Sequence, residues 1–120
     1  MPQYIDGFVL PVPKKKLPAY LKMAKEGAKV WKKHGALEYR ECVGDDLAVK
    51  FGLPFPKQMK LKPGETVVFA YIVYKSKAHR DRVNAKVMKD SRMSEICDEK
   101  SMPFDPSRMQ YGGFTVAVSS

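Results

Sequence analysis

Six side chains in this chain could take part in chemistry. One is His79, three residues past Ser76, at the point where an apolar strand runs into a helix. An imidazole gains and loses its proton near neutral pH, so a neutral His79 can serve as a base or a ligand. Its neighbours Lys77, Arg80 and Arg82 equally allow a plain surface histidine. The other candidates are Asp6, Tyr39, Glu41 and Tyr71, polar or amphipathic groups on strands that otherwise present apolar residues, and Trp31 on a helix. Polar groups of that kind can line a pocket and orient a bound molecule, and the indole of Trp31, with Tyr20, can stack on a flat ligand. The same residues also serve as cross-strand pairs, satisfied core polar groups and core anchors. No CxxC, Cys/His cluster or other metal-ligand spacing is present. Cys42 and Cys97 lie far apart, which leads us to expect reduced thiols in a cytosolic protein and no metal.

These residues must be positioned by a small number of elements. Thr66 to Tyr74 is an unbroken run of β-branched and aromatic residues, too short to cross a membrane, and it reads as a central strand. Val67, Phe69, Tyr71 and Val73 share one face; Val68, Ala70, Ile72 and Tyr74 share the other. A strand apolar on both faces needs cover on both. Tyr4 to Val12 is a first strand that Pro11 and Pro13 should end or confine to an edge. Lys15 to His34 places Leu17, Tyr20, Leu21, Ala24, Ala28 and Trp31 on one helical stripe, with Pro18 tolerated in the first turn and Gly35 as the stop. Ala36 to Val43 reads as a more polar edge strand, and Ser76 to Met88 as a second helix capped by Ser76. Asp90 and Ser91 can start a short helix towards Cys97, and Met109 to Val118 reads as the last strand, with Gly112-Gly113 marking a bulge or a close backbone approach. The connection between residues 44 and 64, rich in proline and aromatics, is too ordered in composition for a linker.

At 120 residues the chain is one domain, and the order strand, helix, strand, strand, helix, strand is the split β-α-β pattern of the α+β ferredoxin-like fold. Two helices would cover one face of a four-stranded antiparallel sheet, leaving the other apolar and open. That face predicts a homodimer with sheets packed face to face. The charge balance, 22 basic against 13 acidic residues for +9, is concentrated in the first helix: Lys14 to Lys33 holds eight lysines and one acid, Glu26. Such a face can meet phosphates, giving a second reading in which the protein binds RNA or DNA non-specifically. Without interleaved aromatics or a reading element, a solvated face is the simpler account and nucleic acid is not the expected partner. The opening residues do not have the form of a signal peptide, and no membrane association is expected.

Four stretches, YIDGFVLPVPK, HGALEYRECVGDD, KLKPGETVVFAYIVYKSKAHRDRVNAKVMKD and MPFDPSRMQYGGF, resemble the YbaA-like bacterial proteins, a family of unknown function. The resemblance spans nearly the whole chain and implies a dimeric α/β barrel. It carries no catalytic residues and no known cofactor with it. The wider barrel superfamily includes cofactor-free monooxygenases and isomerases that bind small apolar molecules between sheet and helices, and several place a histidine on the second helix, as His79 is placed here. The resemblance therefore implies a small apolar ligand in that position, with catalysis left open.

Overall fold

The run that reads as a central strand is one, Glu65–Tyr74, and every other strand is arranged about it or about its neighbour. The computed structural model describes residues 2–97 and 102–120. In chain order the elements are β1 (Tyr4–Pro13), a 3₁₀ turn (Lys14–Lys16), α1 (Leu17–Lys33), β2 (Glu38–Val43), a single helical turn α2 (Phe55–Gln58), β3 (Glu65–Tyr74), α3 (Lys77–Lys89), α4 (Ser91–Ile96), a second 3₁₀ turn (Pro106–Arg108) and β4 (Gln110–Thr115). The sheet is antiparallel with strand order β2-β3-β1-β4, the ferredoxin-like arrangement.

The sheet is open. β2 and β4 are its two edges, so the expectation of an α/β barrel is corrected. Four strands of ordinary twist do not curl far enough for β2 to meet β4, and the sheet ends at both without closing. The molecule measures 38 × 38 × 20 Å, a slab one sheet and one helix layer thick.

Both prolines of β1 lie inside the strand, and the register explains how. The N–H of Lys14 donates to the carbonyl of Gly64 at 2.8 Å, so alternate residues from Lys14 backwards face β3 while Pro13 and Pro11 face the other way. β4 pairs only with Tyr4 to Val9, so no acceptor is waiting where the prolines have no N–H to give. Gly112 and Gly113 form no bulge, since the register with β1 is continuous. What approaches them is aromatic: the Phe114 ring lies over Gly7 and Gly112 on one face, and Tyr4 lies over Gly113 on the other.

Asp6, Phe8, Leu10 and Val12 of β1 share the helix-covered face with Val68, Ala70, Ile72 and Tyr74 of β3 and with Tyr39 and Glu41 of β2. Two buried clusters stand there. Leu10, Val12 and Val68 pack with Tyr20 and Ala24 of α1, while Ile72 and Tyr74 pack with Val30, Val83 and Val87 of α1 and α3. Of the stripe expected on α1, Tyr20 and Ala24 are buried and Leu17, Ala28 and Trp31 half-buried, whereas Leu21 is exposed and Gly27 and Val30 are buried instead. Ser76 caps α3, its hydroxyl accepting from the His79 N–H at 3.1 Å.

A polar clamp ties the end of α1 to α4. His34 Nε2 donates to Asp90 Oδ2 at 2.7 Å, and Asp90 Oδ1 accepts from the Arg92 N–H at 2.9 Å, capping α4. The hydrogen bond from His34, then that from Arg92, holds the Asp90 carboxyl down at about 2, from an ordinary 3.8. A depressed acid contributes its stability above its unfolded value and loses it as pH falls through the folded one. Stability should therefore decline between about pH 4 and pH 2. Thermal melts across that window check it, and Asp90→Asn should flatten this part of the slope.

Candidate functional site

Small residues leave a gap between the layers. Ala24 and Gly27 of α1 and Ala70 of β3 line a cavity of about 340 Å³ between the helices and the sheet. That is within the range of small-molecule sites, commonly about 300–1,000 Å³. Its floor includes Phe8, Ile72 and Tyr39, its roof includes Tyr20, Met23 and Trp31 from α1, and Met93, Ile96 and Cys97 at and beyond the end of α4 close one side. Phe104 and Met109 complete a wall that is mostly aromatic or thioether, with few polar atoms.

Gly27 sits in the middle of α1, where glycine weakens a helix by about 0.5–1 kcal/mol relative to alanine. A Cβ there would meet only the Trp31 ring, at an ordinary 3.8 Å. Gly27→Ala should therefore stabilise the protein by about 0.5–1 kcal/mol in urea titrations. A larger residue at this position would project into the cavity.

Among the described residues, the one carboxylate exposed to this apolar space without a cation is Glu41. Its Oε1 accepts from the Tyr20 hydroxyl and its Oε2 from the Tyr39 hydroxyl, both at 2.7 Å. Burial pushes the Glu41 carboxyl up, with the two hydroxyls pulling the other way. Burial and the adjacent Glu41 push both phenols far above their usual range, so they stay protonated donors. Among the described residues no lysine or arginine pairs with Glu41.

Asp6 is held differently. It is 1 % exposed and accepts from Arg80 Nη1 at 2.7 Å and from Asn84 Nδ2 at 3.4 Å. Asn84 turns its Oδ1 to Trp31 Nε1 at 3.2 Å and to the Tyr74 hydroxyl at 3.1 Å. The Arg80 guanidinium also lies 4.9 Å from the centre of the Tyr4 ring. Counting two strand spacings across and one residue pair along, the Asp6 and Glu41 backbones lie roughly 11–12 Å apart, so the cavity is anchored at two ends.

Of the candidates named from the sequence, the structure brings Asp6, Trp31, Tyr39 and Glu41 together at this cavity. Tyr71 is on the opposite side of the sheet, 6.0 Å from Phe69 and 3.5 Å from Glu38 Oε1 through its hydroxyl. The register decides this: Tyr71 pairs with Gly7, which faces away from the helices. His79 also stands outside the cavity. Its Nδ1 accepts from the Lys75 N–H at 3.0 Å, and its ring lies against Gly35 and edge-on to Tyr74. Partial burial, then the nearby Lys75, Arg82 and Lys86, push its pKa down, which favours the neutral ring that this bond requires. Tyr20, considered only for stacking, proves to be a direct partner of Glu41. The helical spacing puts Asn84 with Val83, Val87 and Met88 among the packing positions of α3, but does not mark Asn84 or Arg80 as site residues, although their spacing of four, flanking Val83, places both beside the buried stripe. Among the described residues no group of three or more histidines, cysteines or acids could hold a metal, both cysteines are free, and no helix is long and apolar enough to cross a membrane.

Comparison with known proteins fits this architecture. The family described as "Protein of unknown function (DUF1428)" matches residues 3–106. The chain belongs to it. It is 45% identical over 112 residues to "Uncharacterized protein YbaA" of Escherichia coli strain K12, covering 93% of this chain and 94% of that one. The family expected from the sequence motifs is thus the one found. Among solved structures, a dimeric ferredoxin-like protein from an uncultured marine organism is similar at a TM-score of 0.61 with 11% identity, covering the whole of both chains. A nipsnap family protein of unknown function from Agrobacterium tumefaciens is similar at 0.62 with 16% identity, covering 98% of this chain and 91% of that one. At such identities the likeness is one of fold.

Proposed function

We propose that this protein binds a small, flat, largely apolar molecule between its helices and its sheet, held at one end by a hydrogen bond donated to Glu41. The observation that carries this reading is the Glu41 carboxylate. Fixed by two tyrosine hydroxyls, it opens on an aromatic-walled cavity of about 340 Å³. A carboxylate has about four acceptor positions and the tyrosines fill two, so a ligand O–H or N–H finds acceptors already oriented. In a catalytic form, resembling an isomerase or a cofactor-free monooxygenase, the same carboxylate is the base within reach of the ligand, its proton affinity raised by burial.

The helix-free face supports assembly as a homodimer. Phe69 and Phe114 are 45% and 61% exposed there, beside Ile5, Val9 and Tyr71. Burying each large side chain is worth about 1.5–3 kcal/mol, so the group together offsets much of an association cost of about 4–15 kcal/mol. Dimeric ferredoxin-like proteins of the same fold are a precedent. Light scattering on the eluting protein should give twice the chain mass, and a monomer at micromolar concentration would remove the dimer from this reading.

A thermal-shift screen of small aromatic alcohols, phenols and amines tests the binding reading. A compound present at a hundred times its dissociation constant stabilises the folded state by about 2.7 kcal/mol, an unmistakable rise in melting temperature. No shift from any of them would contradict the proposal.

A further inference from the structure

Resting on the cavity as the binding site, we infer that its ligand is an organic cation: an aromatic or alkyl ammonium whose charged nitrogen sits at Glu41. The argument is one of charge. Asp6 at the far end is neutralised by Arg80 at 2.7 Å, whereas among the described residues Glu41 has only the neutral hydroxyls of Tyr20 and Tyr39. An ionised acid partly buried against apolar walls without a cation is costly, and a ligand that brings the cation offsets part of that cost.

The walls suit that ligand. Trp31 and Tyr39 stand 6.0 Å apart at a tilt of 47°, and Tyr20 meets Phe104 edge-on at 5.6 Å, so four rings line the cavity, two of them, Tyr20 and Tyr39, bonded to the carboxylate itself. Ring faces attract ammonium groups, and more strongly where water is excluded. Surface charge works in the opposite direction. With a net charge of +9 the protein as a whole attracts anions, so a preference for cations would have to come from the cavity itself.

The other titratable groups facing Glu41 do not compete for the role. Tyr20 from α1, Tyr39 from β2 and Cys97 beyond α4 are all pushed up by burial and remain neutral, and Asp6 on β1 is paired with Arg80. Ammonium binding should therefore be strongest where Glu41 is ionised and weaken as pH falls through its titration.

Isothermal titration calorimetry with phenethylamine, phenethyl alcohol and hydrocinnamate, at about pH 8 where the amine is a cation, separates the possibilities. The amine should bind roughly tenfold to a hundredfold more tightly than the alcohol, and hydrocinnamate more weakly than either. Glu41→Gln should erase most of the difference between amine and alcohol, while weakening the alcohol as well by several-fold, because a neutral amide oxygen accepts a hydrogen bond less strongly than a carboxylate. If the alcohol or the acid binds as tightly as the amine to the unaltered protein, the cation inference is overturned and the cavity reading stands. If none of the three binds, both fall. Should Glu41→Gln fail to fold, the pH series on the unaltered protein decides, because an amine-to-alcohol ratio that stays constant into the acid range also overturns the inference.

Discussion

Asp6→Ala is expected to destabilise the protein by about 3–5 kcal/mol, lowering its melting temperature on the order of 10 °C or more. Asp6 is 1% exposed, and the side chain of its partner Arg80 is 15% exposed. Removing the acid leaves Nη1 of a largely buried guanidinium without its buried acceptor, and the bond from Nε to Asp81 at 2.8 Å, on a side chain that is 60% exposed, compensates only in part. The Asn84 amide loses an acceptor in the same step. Breaking such a pair costs more than the pair was worth, because the remaining charge keeps its desolvation penalty. Replacing Asp6 and Arg80 together by apolar residues should cost clearly less than Asp6→Ala alone. Urea denaturation of the single and double variants measures both.

Asn84→Leu is the second large effect, at about 2–4 kcal/mol. Its Oδ1 serves two donors, the indole N–H of Trp31 and the hydroxyl of Tyr74, and Tyr74 is fully buried. Leucine fits the apolar stripe of α3 but leaves both donors with no acceptor in that position. Adding Tyr74→Phe should recover part of the loss, because deleting both members of a buried hydrogen bond costs less than deleting one. Asp6 and Asn84 share a hydrogen bond, so the two substitutions should not add, and a double-mutant cycle will show the coupling.

Local signals made much of the fold legible. The uninterrupted apolar run of β3, the stripe on α1 and the hydroxyl of Ser76 before α3 each follow from neighbours in sequence. What failed depended on partners far along the chain. Because β1 and β3 are apolar on both faces, no pattern within them says which face meets the helices, and so Tyr71 was grouped with Asp6, Tyr39 and Glu41. His79 drew attention as a lone imidazole, yet its ring is held by the Lys75 backbone at the start of its own helix. The residues that hold the site act over long separations: Arg80 reaches Asp6 across 74 positions and Tyr20 reaches Glu41 across 21. The barrel came from resemblance, and the strand order with two free edges corrects it.

Trp31 is the only tryptophan in the chain and it lines the cavity, so its fluorescence reports on the space directly. The decisive measurement is a titration of that emission with a compound that shifts the melting temperature, in the unaltered protein and in Gly27→Leu, whose side chain fills the gap below α1. The expected result is a saturable change in the unaltered protein that disappears in a folded Gly27→Leu variant. A change of the same size and midpoint in both proteins would place the ligand elsewhere and contradict the account.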